Sequence, residues 1–135
     1  MKELTLEARI ENLPAATAFI DGELEALGCP PRAQMQIDVA LDELFSNIAR
    51  YAYAQGVGPA TLRFDFDPAA RLVSLPLIDG GVPYDPLARE DPDTSLPAEE
   101  RGIGGLGIFL VKKTMDGMFY RREDGRNMLT IQKRI

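Results

Sequence analysis

The chain changes its hydrophobic period once, abruptly, and that change sets the fold class. From Arg32 to about Ala54 the apolar residues Ile37, Ala40, Leu41, Leu44, Phe45, Ile48 and Tyr51 recur at the 3.6-residue spacing of a long amphipathic helix. After Gly56-Val-Gly-Pro59 the spacing drops to two. In Thr61-Leu-Arg-Phe-Asp-Phe-Asp67, Leu62, Phe64 and Phe66 face one way, as in a half-buried strand of an antiparallel sheet. A segment patterned for one period cannot bury its apolar face in the other. The chain must therefore lay a helix against a sheet, and its 135 residues suffice for one such domain, residues 1–135.

The remaining segments fit this frame. Residues 3–10 alternate loosely and predict a strand. Residues 14–27 predict a helix that opens at Pro14 and stops at Gly28 and Pro30-Pro31. Arg71–Ile78 predicts the partner of the 61–67 strand, with Pro76 pointing to an edge or a bulge. Residues 80–103 lack a period and predict a long loop. A helix is expected near 106–116, then a hairpin of 118–123 and 126–133 around Asp124-Gly125. The expected fold class is α+β: a two-layer α/β sandwich with a mixed, mainly antiparallel sheet covered on one face by helices.

Composition removes several chemistries. The chain has no histidine, which excludes Ser-His-Asp and Cys-His catalysis, histidine metal sites and histidine phosphorylation within it. Cys29 is the single cysteine, so no intrachain disulfide forms, no cysteine-rich zinc site exists, and a reducing compartment is expected. A net charge of −6 opposes nonspecific nucleic-acid binding and suits a basic protein partner. No apolar run approaches a membrane span, and Met1-Lys-Glu-Leu-Thr5 begins no signal-peptide core, so a cytoplasmic location is expected.

Three constellations carry chemistry. Glu43 and Asn47 lie one turn apart at the border of the apolar arc of the long helix, where a side chain looks into a cleft. An asparagine amide oxygen suits a hard cation such as Mg²⁺, and a glutamate can accept a proton from a hydroxyl or water. Taken alone, such a pair is more often a solvated helix face. Asp79-Gly-Gly-Val-Pro-Tyr-Asp-Pro86 follows the apolar strand. A carboxylate there can accept a hydrogen bond from an exocyclic amine such as that of adenine, and Gly81 would let a ring approach the backbone. Alone, it reads equally as an Asp-Gly turn.

The third is Arg101-Gly-Ile-Gly-Gly-Leu-Gly107 ahead of an apolar helix, where bare backbone N–H groups and the helix dipole favour phosphate. Gly102, Gly104 and Gly107 also spell G-x-G-x-x-G. No strand precedes them, and too little chain follows for a dinucleotide fold or a eukaryotic-type kinase domain.

In this order, Glu43-x-x-x-Asn47, Asp79-x-Gly81 and Gly105-x-Gly107 resemble the Bergerat ATP-binding fold of the GHKL superfamily, and over essentially the whole chain the bacterial anti-sigma factor serine/threonine kinases. Asn47–Tyr53, Asp79–Pro86, Ile103–Ile108 and Tyr120–Thr130 look like that family's characteristic stretches. The resemblance implies ATP and Mg²⁺ as cofactors. Glu43 would be the catalytic base or orienting carboxylate, and Asn47 would hold the metal that bridges the phosphates. Asp79 would bind the adenine amine, with Gly81 beside the ring. Residues 85–103 would form a lid, Gly105 and Gly107 would hold the phosphates, and Arg101 would reach the γ-phosphate by its charge and position. The implied partners are a STAS-type anti-sigma factor antagonist, phosphorylated on serine or threonine, and a sigma factor, with a homodimer as the implied assembly and transcription regulation as the outcome. A second reading of the same residues is a nucleotide-gated binding module without kinase activity. A histidine-kinase catalytic domain would need its phosphoacceptor supplied in trans.

Overall fold

A computed structural model describes residues 2–54, 56–88 and 106–135 of the chain. Five strands form one sheet in the order β1-β2-β3-β5-β4: β1 (Lys2–Glu7), β2 (Pro59–Asp67), β3 (Leu72–Asp79), β4 (Gly117–Glu123) and β5 (Arg126–Arg134). Every described pairing is antiparallel, so the expected mixture of directions is absent among the described residues. Among the described residues three α-helices, α1 (Leu13–Ala26), α2 (Pro31–Asn47) and α3 (Leu106–Thr114), complete the α+β sandwich.

Helix boundaries follow local chemistry. α1 ends where Gly28 takes φ 67, with Cys29 N–H bonded to the Leu24 carbonyl and Gly28 N–H to that of Glu25. Those two bonds define a Schellman stop, which a side chain with a Cβ disfavours. Pro31 opens α2 with its φ preset and no N–H to leave orphaned. Asp124 and Gly125 both have positive φ, as a tight β4–β5 hairpin turn requires.

The core lies between the layers. Ala16, Ile20 and Leu24 of α1 repeat every four residues and are buried. They meet Ile37, Leu41, Leu44 and Phe45 of α2, Ile108 and Val111 of α3, and the inward residues Leu62, Phe64, Val73, Leu75, Leu77 and Ile131 of the sheet. Burying one such side chain fully contributes roughly 1.5–3 kcal/mol. Helix α2 packs against both α1 and α3, so it is the middle of the helical layer.

Two expectations are corrected. Pro76 sits neither at an edge nor in a bulge but in β3, the middle strand of the sheet. The register with β2 is the same on both sides of it, while the pairs 63–76 and 64–75 are missing from the ladder; the β3–β5 ladder runs unbroken through Pro76↔Thr130. The missing N–H thus falls on the β2 side, and the rest of the ladder tolerates the gap. The long helix also does not continue as α-helix to residue 54. It ends at Asn47, and Ile48–Ala52 form one π-helical turn. Such turns widen the backbone and occur often at functional sites.

Candidate functional site

A cleft opens between the C-terminal end of α2 and the sheet. Leu44, Asn47, Ile48, Tyr51 and Ala52 line it from α2 and the π turn, Leu77, Asp79, Tyr120, Asn127 and Leu129 from the sheet, and Tyr84 and Pro86 from the segment after β3. The apolar lining with a few polar groups suits a small ligand with a flat apolar ring. The π turn contributes here, since Ile48, Tyr51 and Ala52 all reach the cleft.

Asp79 ends β3 and is 7% exposed. Its Oδ1 accepts from Gly81 N–H at 2.9 Å and from Asn127 Nδ2 at 3.0 Å. Both bonds from described residues end on Oδ1, which leaves Oδ2 to accept from a donor in the cleft. A buried carboxylate oxygen with spare acceptor capacity favours a ligand N–H.

The Glu43 and Asn47 side chains meet as the helical spacing predicts. Asn47 Nδ2 donates to Glu43 Oε1 at 3.4 Å, and Asn47 lines the cleft. Its amide oxygen is then the atom free to bind a hard cation, which tests well against the donor type Mg²⁺ takes. Glu43 itself points to the first turn of α3. A Cβ built on Gly107 would lie 2.2 Å from Glu43 Cδ and 2.3 and 2.4 Å from its two carboxylate oxygens. Gly107 therefore makes room for Glu43, in addition to any contact with phosphate. Neighbouring Ser46 is buried, with its hydroxyl bonded to Asp42 at 3.1 Å.

Gly81 is required by the protein's own packing. A Cβ there would meet the Ala52 carbonyl oxygen at 2.1 Å, and the next residue, Val82, donates its N–H to the same oxygen at 2.8 Å. The loop after β3 is thus pressed onto the π turn, and Gly81 is not among the residues that line the cleft. Tyr53 clamps the same junction. Its hydroxyl donates to the Pro59 carbonyl at 2.5 Å and accepts from Gly80 N–H at 2.9 Å, and its ring occupies the space a Cβ on Gly58 would need. Burial pushes the Tyr53 phenol pKa up, partly offset by the Gly80 hydrogen bond.

The fold therefore brings Asn47 and Asp79 into one cleft, with Glu43 bonded to Asn47 and seated on Gly107, and Gly81 bonded to Asp79. Arg101 and Gly105, with Gly102, Gly104 and most of the expected lid, lie outside the described residues. Sequence reasoning gave no role to Asn127, Tyr120 or Tyr84. The available signal was a polar residue, Asn127, on the inward face that Leu129 and Ile131 continue along β5.

Residues 6–133 match the histidine kinase-like ATPase domain family. The chain is 31% identical over 100 residues to the serine/threonine-protein kinase BtrW of Bordetella bronchiseptica, covering 74% of this chain and 70% of that one. It is 24% identical over 131 residues to the serine-protein kinase RsbW of Bacillus thuringiensis, covering 94% of this chain and 81% of that one. No described helix is long and apolar enough to cross a membrane. A cleft holding a spare carboxylate oxygen, an asparagine at its wall and a glutamate seated on a helix-opening glycine agrees with that match over nearly the whole length: the chain belongs to the histidine kinase-like ATPase domain family.

Proposed function

We propose that the protein is a Mg²⁺-dependent serine/threonine kinase that transfers the γ-phosphoryl group of ATP to a STAS-type anti-sigma factor antagonist and alternately sequesters a sigma factor. The observation that carries the reading is the convergence of Asp79 and Asn47 on one cleft, with Glu43 bonded to Asn47 at its rim. The similarity to two protein kinases named for serine or serine/threonine supports the choice of acceptor.

The residues divide the work. Asp79 Oδ2 accepts from the adenine amine, and Leu44, Ile48, Leu77 and Leu129 enclose the ring. Asn47 holds Mg²⁺ through its amide oxygen; the ion supplies neutralisation of phosphate charge when bound. Gly107 and Gly105 would offer backbone N–H groups to the phosphates, and Arg101 would add charge at the γ end. Glu43 orients the acceptor hydroxyl and takes its proton as the oxygen–phosphorus bond forms and the bond to the β-phosphate oxygen breaks. Phosphoryl transfer asks mostly for positioning and charge neutralisation, so a site this sparse is adequate. A homodimer presenting two such sites is part of the reading.

The test incubates the protein with γ-labelled ATP, Mg²⁺ and an antagonist protein encoded beside it. Label should reach the antagonist with the wild type and not with Glu43→Ala or Asn47→Ala. Tight ATP binding with no label on any such partner would replace the kinase reading with the nucleotide-gated binding module.

A further inference from the structure

The cleft contains a residue to which the sequence assigned no role and which bonds to β3, to β4 and to the segment after β3. Asn127 is 5% exposed and lies opposite Asp79 in the β3–β5 ladder and opposite Arg122 in the β4–β5 ladder. Its Nδ2 donates to Asp79 Oδ1 at 3.0 Å and to the Val82 carbonyl at 2.8 Å. Its Oδ1 accepts from the Tyr120 hydroxyl at 2.5 Å and from Tyr84 N–H at 3.3 Å. An amide offers two donors and one oxygen with two lone pairs, so every bond it can make is made inside the protein. Asn127 has nothing left for a ligand, and its own rotamer is fixed from four directions.

What those four bonds fix is the cleft. The bond to Asp79 joins that from Gly81 N–H, so Oδ1 is gripped from two sides and the carboxylate cannot turn. Val82 and Tyr84 anchor the segment after β3, whose Tyr84 and Pro86 line the cleft. Tyr120 is held with its ring in the wall. We propose that Asn127 is the specificity-determining positioning residue of this site. By donating to Asp79 Oδ1 it keeps the carboxylate an acceptor with Oδ2 aimed into the cleft, which selects a purine carrying an amine at the reading position over one carrying a carbonyl there. The proposal rests on the reading of the cleft as an adenine-nucleotide site. A site built to pair a buried acceptor with a ligand N–H penalises a ligand that presents an acceptor instead, because both groups are then left unpaired.

The experiment compares affinities for ATP and inosine triphosphate, which differ at the 6-position amine, by calorimetry with Mg²⁺ present. Wild type should prefer ATP by on the order of 10²-fold. Asn127→Ala frees Asp79 to turn and should cut that preference by roughly tenfold or more, with ATP affinity falling more than inosine triphosphate affinity. Asn127→Asp sets a second carboxylate against Asp79; their repulsion raises the pKa of one of the pair, so that a proton shared between them at pH 5.5 is lost as the pH rises toward 8. Its ATP affinity should rise at least about tenfold between pH 8 and pH 5.5, while wild type changes little over the range. A purely structural role would lower both affinities alike and would leave no such pH profile. Should both variants fail to fold, Tyr120→Phe removes one of the four bonds at the end remote from Asp79 and should lower the preference a few-fold. A wild type without preference for ATP overturns the adenine reading itself. A wild type that prefers ATP, with folded variants that prefer it equally, overturns the role of Asn127 alone.

Discussion

Replacing Gly107 by alanine separates two jobs that a glycine at a helix entrance can do. The added methyl would arrive 2.2–2.4 Å from all three carboxylate atoms of Glu43. Carbon contacts are comfortable at about 3.5–4.0 Å, so the carboxylate must retreat by more than about 1 Å. The obstruction is the far end of a flexible side chain, and alanine in a helix is favoured over glycine by roughly 0.5–1 kcal/mol, so the fold should not suffer. Activity should. Misplacing a reacting group by about 1 Å costs roughly 10²-fold, and a general base supplies roughly 10²–10⁴-fold. Expected for Gly107→Ala is a fall in turnover of about 10²-fold, equivalent to about 2.7 kcal/mol in the barrier. The thermal midpoint should be unchanged or slightly raised, and ATP affinity should stay within a few-fold of wild type. Label transfer from γ-labelled ATP, calorimetry and a thermal melt measure the three quantities. Turnover close to wild type would refute the placement of Glu43 as the reacting carboxylate. Loss of ATP affinity matching the loss of turnover would make phosphate contact the main job of Gly107.

Gly81→Ala should behave oppositely. Its methyl meets backbone at Ala52, which cannot swing aside, so urea denaturation should show a loss of about 1–3 kcal/mol. A second expectation concerns Asp38 of α2, which faces Asp21 and Glu25 of α1. Burial, the hydrogen bond to Asp21 and repulsion from Asp21 and Glu25 push its carboxyl pKa up to about 7. A group whose pKa is raised on folding contributes stability that is full below its unfolded value, near 3.8, and is lost as pH climbs through about 7. The urea midpoint of wild type should therefore fall between pH 6 and pH 8 by more than that of Asp38→Asn, which holds the neutral form throughout. Identical pH slopes would remove Asp38 from the account.

How much of this was legible depended on the range of the interaction. The Glu43–Asn47 contact follows from helical spacing alone and is present. The Asp124-Gly125 turn is equally local, and its two positive φ values were readable from residue type. Pro76 misled because a local rule against proline in inner strands met a ladder that could omit two pairs without shifting register. The end of α2 was overrun by several residues: the apolar period persists through Tyr51, and nothing in residue type announces a change to π geometry. Gly81 and Gly107 were marked for ligand contacts, the adenine ring in one case and the phosphates in the other. What fills the space, the Ala52 carbonyl in one case and the Glu43 carboxylate in the other, is a long-range fact. Asn127 escaped notice for the same reason. Its importance lies in three partners 43 to 48 residues away along the chain, Tyr84, Val82 and Asp79, joined by Tyr120 from within the hairpin.

The central claim is that the cleft beside α2 is an adenine-nucleotide site read by Asp79. Calorimetric titration of ATP with Mg²⁺ into wild type and Asp79→Asn tests it most directly. The substitution is nearly isosteric and keeps an acceptor for Gly81 and Asn127, but presents an amide where the adenine amine needs an oxygen. Wild type should bind one ATP per chain saturably, and Asp79→Asn should bind at least about tenfold more weakly, the cost of one buried charge-assisted hydrogen bond. Equal ATP affinity in the two proteins would contradict the account.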